Sequence, residues 1–144
     1  MKATRKHFDR LLSNYGNIKI INLVEKRGVE EPLGSQYQHA VSTIAEEVGD
    51  PYLAFEWFDF HHACRGMKFE NVSDLLLRVK DDLETMGSTT QSGEQTISKQ
   101  AGVFRTNCMD CLDRTNVCQS CFGKHMLELQ LKEEGIDMSV QLDQ

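Results

Sequence analysis

Residues 18–24 read Ile-Lys-Ile-Ile-Asn-Leu-Val, a short run rich in β-branched side chains between Gly16 and Gly28. Its length and composition predict a strand largely buried in a sheet. Beyond the turn-like Glu31-Pro32-Leu33-Gly34, Ser35 stands as the N-cap of a helix. Tyr37, Ala40, Val41, Ile44 and Val48 then recur at helical spacing until Gly49-Asp50-Pro51 stops it. Residues 52–60 are dense in aromatics and predict a second strand, bulky on both faces, in which Glu56 and Asp59 need partners. Val72, Leu75, Leu76, Val79, Leu83 and Met86 trace another helical stripe, begun near Asn71 or Ser73 and closed by Gly87. The polar tract 88–100 reads as a surface loop. Residues 101–106 are a short extended segment, followed by a cysteine-rich turn. The chain then enters a helix with Cys118, Cys121, Phe122, His125 and Leu129 on one face. The order strand, helix, strand, helix, strand, loop, helix predicts an α/β fold with helices against a largely parallel or mixed sheet.

Composition narrows this picture only modestly. With 144 residues, 40% hydrophobic and 26% charged, the chain has the make-up of one globular domain. A chain of this size buries roughly two-thirds of its unfolded surface without disulfide staples, provided it is a complete folding unit. The net charge of -6 is unevenly spread: residues 1–30 carry seven Lys or Arg against three acids, and the rest nine against nineteen. The amino-terminal edge is therefore the part suited to an anionic surface, while the overall acidity argues against nonspecific nucleic-acid binding. No run approaches the ~20 apolar residues of a membrane span, and no signal peptide follows Met1, so the chain reads as cytosol-facing. Five cysteines, four of them within 108–121, point to reduced thiols rather than a secreted disulfide framework.

The chemistry concentrates in Arg105-Thr106-Asn107-Cys108-Met109-Asp110-Cys111-Leu112-Asp113-Arg114-Thr115-Asn116. Cys108 and Arg114 are separated by five residues, across the expected strand-to-helix junction. A loop of that length can wrap its backbone N–H groups around a tetrahedral oxyanion while the following helix aims its positive end at it. Those N–H groups and a guanidinium would stabilise the thiolate of Cys108, making it a nucleophile toward phosphorus and giving a phosphocysteine. Arg114 would offer a planar two-bond clamp to phosphoryl oxygens. Departure of the alkoxide needs a proton donor, and Asp110 and Asp113 are both available. The Thr115 hydroxyl is placed to hydrogen-bond the cysteine sulfur. Asn107 and Asn116 are expected to brace the loop.

This string resembles the active-site signature of the Sac-domain phosphoinositide phosphatases, Arg-x-Asn-Cys-x-Asp-Cys-Leu-Asp-Arg-Thr-Asn, with every fixed position present. Residues 20–24, Phe58-Asp59-Phe60-His61-His62 and Cys64 also resemble Sac-domain segments, in a form similar to the membrane-anchored phosphatidylinositol 4-phosphate phosphatases. The resemblance covers most of residues 7–125. It implies a cysteine-phosphatase-like sheet, Cys108 as nucleophile, Arg114 on the phosphate, and Asp110 or Asp113 in proton transfer. Asn107, Met109, Cys111, Leu112, Arg114 and Thr115 are then the substrate-binding set, and no metal cofactor is expected. The implied reaction removes a phosphate monoester from the inositol ring of a membrane phospholipid, phosphatidylinositol 4-phosphate or 3-phosphate, at endoplasmic reticulum or Golgi membranes. Sac domains are much longer than this chain, so residues 1–144 are expected to be a partial catalytic domain with its phosphate loop at 105–116 and without an anchor.

Blander readings compete at several positions. Cys108-x2-Cys111 and Cys118-x2-Cys121 mimic a four-cysteine zinc site, which would make the chain an interaction module, although the gap between the pairs is short. Cys118 and Cys121 otherwise read as core residues on the apolar helix face. Cys111 either packs or forms a reversible disulfide with Cys108. His61 and His62, at the end of the aromatic strand, read as structural hydrogen-bonding groups, with a place beside the loop as the alternative. Glu46, Glu47, Asp81 and Asp82 read as solvated. A noncatalytic phosphoinositide-binding fragment is the remaining functional alternative.

Overall fold

A computed structural model describes residues 2–49, 52–109 and 113–136. The elements run α1 (Lys2–Tyr15), β1 (Asn17–Asn22), α2 (Glu31–Val48), β2 (Leu53–Trp57), the one-turn α3 (Phe60–Ala63), α4 (Val72–Met86), β3 (Thr90–Ser92), β4 (Gln95–Ser98), β5 (Gly102–Asn107) and α5 (Asp113–Glu133). Strands β2, β1 and β5 form one sheet in that order, with β1 parallel to both neighbours. Helices lie on both faces, as the α/β expectation requires.

Side chains alternate across a strand, so β1 serves two cores. Ile18 and Ile20 pack with Phe8 of α1 and with Val41 and Ile44 of α2. Ile21 and Leu23 pack with Leu75, Val79 and Leu83 of α4 and with Cys118 and Phe122 of α5. The expected stripe on α4 is the buried one, and Gly87 follows the helix in a positive-φ conformation. Lys19 also points to the α4 face, where its ammonium meets Asp82 at 3.3 Å. Glu56 finds its partner on the same helix, in Arg78 at 3.1 Å.

Four elements differ from expectation. Helix α1 lies in a charged segment to which the hydrophobic pattern assigns no element; it is held by the fully buried Phe8. Helix α2 begins at Glu31, because Pro32 suits a first helical turn. Ser35 therefore lies inside it and bonds back to Glu31 instead of capping. The aromatic strand stops at Trp57, because the Asp59 carboxylate accepts the backbone N–H of His62 at 3.1 Å and caps α3. His61 and His62 thus sit on a helical turn. The polar tract at 88–100 contains the exposed hairpin β3–β4, turned at Gly93 and Glu94, with Gly93 at φ 62°.

Candidate active site

The carboxyl ends of β1 and β5 present one row of polar side chains toward α1 and α2. The register sets Ile20 beside Arg105 and Asn22 beside Asn107, so Arg105, Asn107 and Asn22 share a face. Asn107 Nδ2 donates to Asn22 Oδ1 at 2.6 Å, and the Asn107 carbonyl accepts the Leu23 N–H at 2.9 Å. Asn107 therefore braces the strand ends through side chain and backbone together. Asn22 is fully buried, and its Nδ2 has no partner among the described residues.

Arg105 is fixed by three acceptors. Its Nε donates to His7 Nε2 at 2.9 Å, and one terminal nitrogen donates to the Tyr37 hydroxyl at 3.0 Å and to Asn107 Oδ1 at 3.4 Å. Its guanidinium also lies 5.7 Å from the centre of the Tyr37 ring. Burial, with the charges of Arg105 and Arg10, holds the His7 pKa below the usual histidine value and favours the neutral ring that accepts this bond. Burial pushes the Tyr37 phenol up, partly opposed by Arg105.

Asn22, Tyr37, Arg105 and Asn107 line a cleft of about 760 Å³, walled by α2 and bordered by Cys108. The wall approaches closely because α2 carries Gly34. A Cβ there would sit 2.6 Å from Trp57 Cη2 and 2.9 Å from Val24 Cγ2. Trp57 is itself pinned by its Nε1–H, which donates to the Val24 carbonyl at 2.8 Å.

Cys108 is half-buried just past the end of β5, and α5 begins five residues later at Asp113. Thr115 Oγ1 lies 3.3 Å from Cys108 Sγ, placed to donate its hydroxyl hydrogen to the sulfur. Arg114 reaches across to the tip of β1. Its two terminal nitrogens meet Glu30 Oε1 at 2.8 Å and Oε2 at 3.3 Å, and one also approaches the Leu23 carbonyl at 3.4 Å. Glu30 is only 8% exposed. The hydrogen bond from Arg114 comes first among the causes that hold its carboxyl below the usual glutamate range; burial opposes, and the Glu25 N–H bond and the Arg114 charge assist.

Six of the remaining residues of the signature separate into two groups. Asp110, Cys111 and Leu112 lie outside the described residues, and with them the wrap of the loop and any relation of Cys111 to Cys108. Met109, Asp113 and Asn116 are exposed, Asp113 as the first residue of α5. Cys118 is fully buried among the residues of the α4–α5 core, a cluster that includes Cys64. Burial, reinforced by the neighbouring thiols Cys64, Cys121 and Cys108, pushes its pKa up to about 12. Burial also raises Cys121. Among the described residues no three His, Cys, Asp or Glu side chains are grouped to hold a metal ion. His61 lies 3.6 Å from Glu25, and His62 Nδ1 lies 3.4 Å from Arg65; both histidines are exposed.

The hydrophobic pattern did not mark Glu30, His7, Asn22 or Tyr37 as site residues. Arg105 heads the signature string without an assigned role, and that place was the available signal. Glu30 gave none, being one acid in a turn far from Arg114 in sequence.

Residues 1–65 match the family model described as the SacI homology domain. The chain is 42% identical over 130 residues to phosphatidylinositide phosphatase SAC2 of Homo sapiens, covering 90% of this chain and 11% of that protein. It is 39% identical over 137 residues to phosphoinositide phosphatase SAC6 of Arabidopsis thaliana, covering 94% and 22%. It is 34% identical over 147 residues to phosphatidylinositol-3-phosphatase SAC1 of Saccharomyces cerevisiae, again covering 94% and 22%. The chain thus spans less than a quarter of the length of these relatives, while the similarity runs well beyond residue 65. With the signature around Cys108 complete and the likeness continuous over most of its length, the chain belongs to the Sac family of phosphoinositide phosphatase homologues.

Proposed function

We propose that this chain carries the catalytic centre of a phosphoinositide phosphatase that removes a ring phosphate monoester from phosphatidylinositol 4-phosphate or 3-phosphate. The observation that carries the proposal is the contact of Thr115 with the Cys108 sulfur at 3.3 Å, at the border of a cleft and one residue from Arg114. A hydroxyl in that position holds the sulfur in place and leaves its outer lone pairs for attack. In the first step the Cys108 thiolate bonds to phosphorus and the ester P–O bond breaks. Asp110 or Asp113 gives its proton to the departing ring oxygen, while Arg114 binds the phosphoryl oxygens. In the second step the same carboxylate takes a proton from water, which attacks the phosphocysteine, frees inorganic phosphate and restores the thiolate.

The names of the relatives support the lipid class, and the basic amino-terminal thirty residues suit an anionic membrane surface. Among the described residues no helix is long and apolar enough to cross a membrane. Phosphate release measured across a phosphoinositide panel and a phosphotyrosine peptide tests the proposal. Release from the monophosphorylated lipids, abolished by Cys108→Ser with the thermal melt unchanged, is expected. Turnover that survives Cys108→Ser removes the nucleophile, and binding of the lipids without release favours the noncatalytic alternative.

A further inference from the structure

Two arginines flank Cys108 in sequence, and the fold treats their charges differently. Arg114 is matched to the buried Glu30 carboxylate. Arg105 is held by a neutral ring nitrogen, a phenol oxygen and an amide oxygen, and among the described residues no carboxylate forms an ion pair with it. Its charge therefore remains, fixed in orientation by three bonds, in the same cleft that Cys108 borders.

A cation already held in place, with no internal anion to displace, binds an incoming anion without the ordering cost of a flexible side chain. The spacing bears on which anion. Arg105 and Cys108 are three residues apart, about 10 Å between Cα atoms at the rise of an extended strand. Both residues line one cleft, so a ring whose reacting phosphoryl group sits at Cys108 can present a second one to Arg105. Resting on the phosphatase reading above, we propose that Arg105 binds a second phosphoryl group of the substrate, and so selects ring substrates bearing two phosphoryl groups over simple monoesters. The second group is either the phosphodiester that joins a lipid headgroup to its diacylglycerol or a further ester on the ring; the chemistry read by Arg105 is the same.

Equilibrium binding to the Cys108→Ser protein tests this with three ligands: myo-inositol 4-phosphate, myo-inositol 1,4-bisphosphate and dioctanoyl phosphatidylinositol 4-phosphate. Adding Arg105→Gln should weaken one or both of the doubly phosphorylated ligands by about tenfold or more, the worth of a charge-assisted bond, and shift the monophosphate by less than about twofold. Loss confined to the free bisphosphate identifies a ring ester as the second group, and loss with the lipid identifies the diester. Arg105→Lys keeps the charge without the bonding fork and should retain most of the preference, which a purely structural role would not. Equal weakening of all three ligands, no weakening of any, or no initial preference for two phosphoryl groups overturns the proposal. Phosphate release from the lipid by the Cys108 protein is read separately. Its absence removes the enzymatic reading, whereas normal turnover with no Arg105 dependence removes only the second-anion site.

Discussion

Glu30 grips Arg114 through both carboxylate oxygens, at 2.8 and 3.3 Å, joining the turn after β1 to the first turn of α5. The pair orients a planar guanidinium that rotates freely when unpaired. Glu30→Gln keeps the shape and removes the charge. Phosphoinositide turnover should fall about 10- to 100-fold, the range for losing a hydrogen bond to a charged group. Steady-state rates check this; unchanged kcat and KM would contradict it.

The same pair has a pH signature. The folded protein holds the Glu30 carboxyl below its ordinary range, so the unfolded chain binds the proton more readily. The resulting stability is fully present above the unfolded carboxyl pKa of about 4.3 and is lost as pH falls through the folded value. Denaturant melts stepped downward from pH 7 should show a steeper acid loss in the native protein than in Glu30→Gln. Parallel curves would refute the linkage.

Thr115→Val preserves volume and deletes the hydroxyl 3.3 Å from Cys108 Sγ. Alkylation of Cys108 near neutral pH should slow, and turnover should drop about tenfold or more, with the melt unchanged. Peptide mapping by mass spectrometry after timed labelling gives the comparison.

Cys118 should resist the same reagent. It is fully buried and its thiol is pushed up to about 12, so its thiolate is scarce at pH 8. Labelling of Cys118 should appear only on unfolding. Equal rates in native and denatured protein would show that the α4–α5 core opens freely.

Gly34 and Gly123 make a paired test of the cleft wall. Alanine at 34 drives a methyl into Trp57 and Val24 and should cost about 1–3 kcal/mol. Alanine at 123, on an exposed stretch of α5 with nothing within 4 Å, should stabilise by about 0.4–1 kcal/mol. Thermal melts of the two variants should move in opposite directions.

Much of the fold was legible where pattern and burial agree. The α4 stripe ends where Gly87 says it should, and the apolar run at 18–24 overlaps β1 at residues 18–22. Helix α1 escaped because its inward apolar residues are few, the fully buried Phe8 with the partly buried Leu11 and Leu12, and charged residues stand around them. The hairpin at 90–98 escaped because its strands are exposed and carry no apolar alternation. The aromatic run 52–60 outlasts β2 because aromatic density does not reveal that Asp59 turns its carboxylate back to cap a helix.

The sequence alone determined the chemical alphabet of the site, because Cys108, Arg114 and Thr115 lie within one local string that spans a strand-to-helix junction. Such spacing is local, and local geometry follows from backbone rules. Only the tertiary structure decided which arginine is paired with a carboxylate and which is held by neutral groups among the described residues. Glu30 meets Arg114, and His7 and Tyr37 meet Arg105, through contacts between segments far apart in the chain. Parallel pairing of β1 with β5 and the close seat of α2 on Trp57 bring those segments together, and nothing in the hydrophobic period of any one of them encodes the meeting.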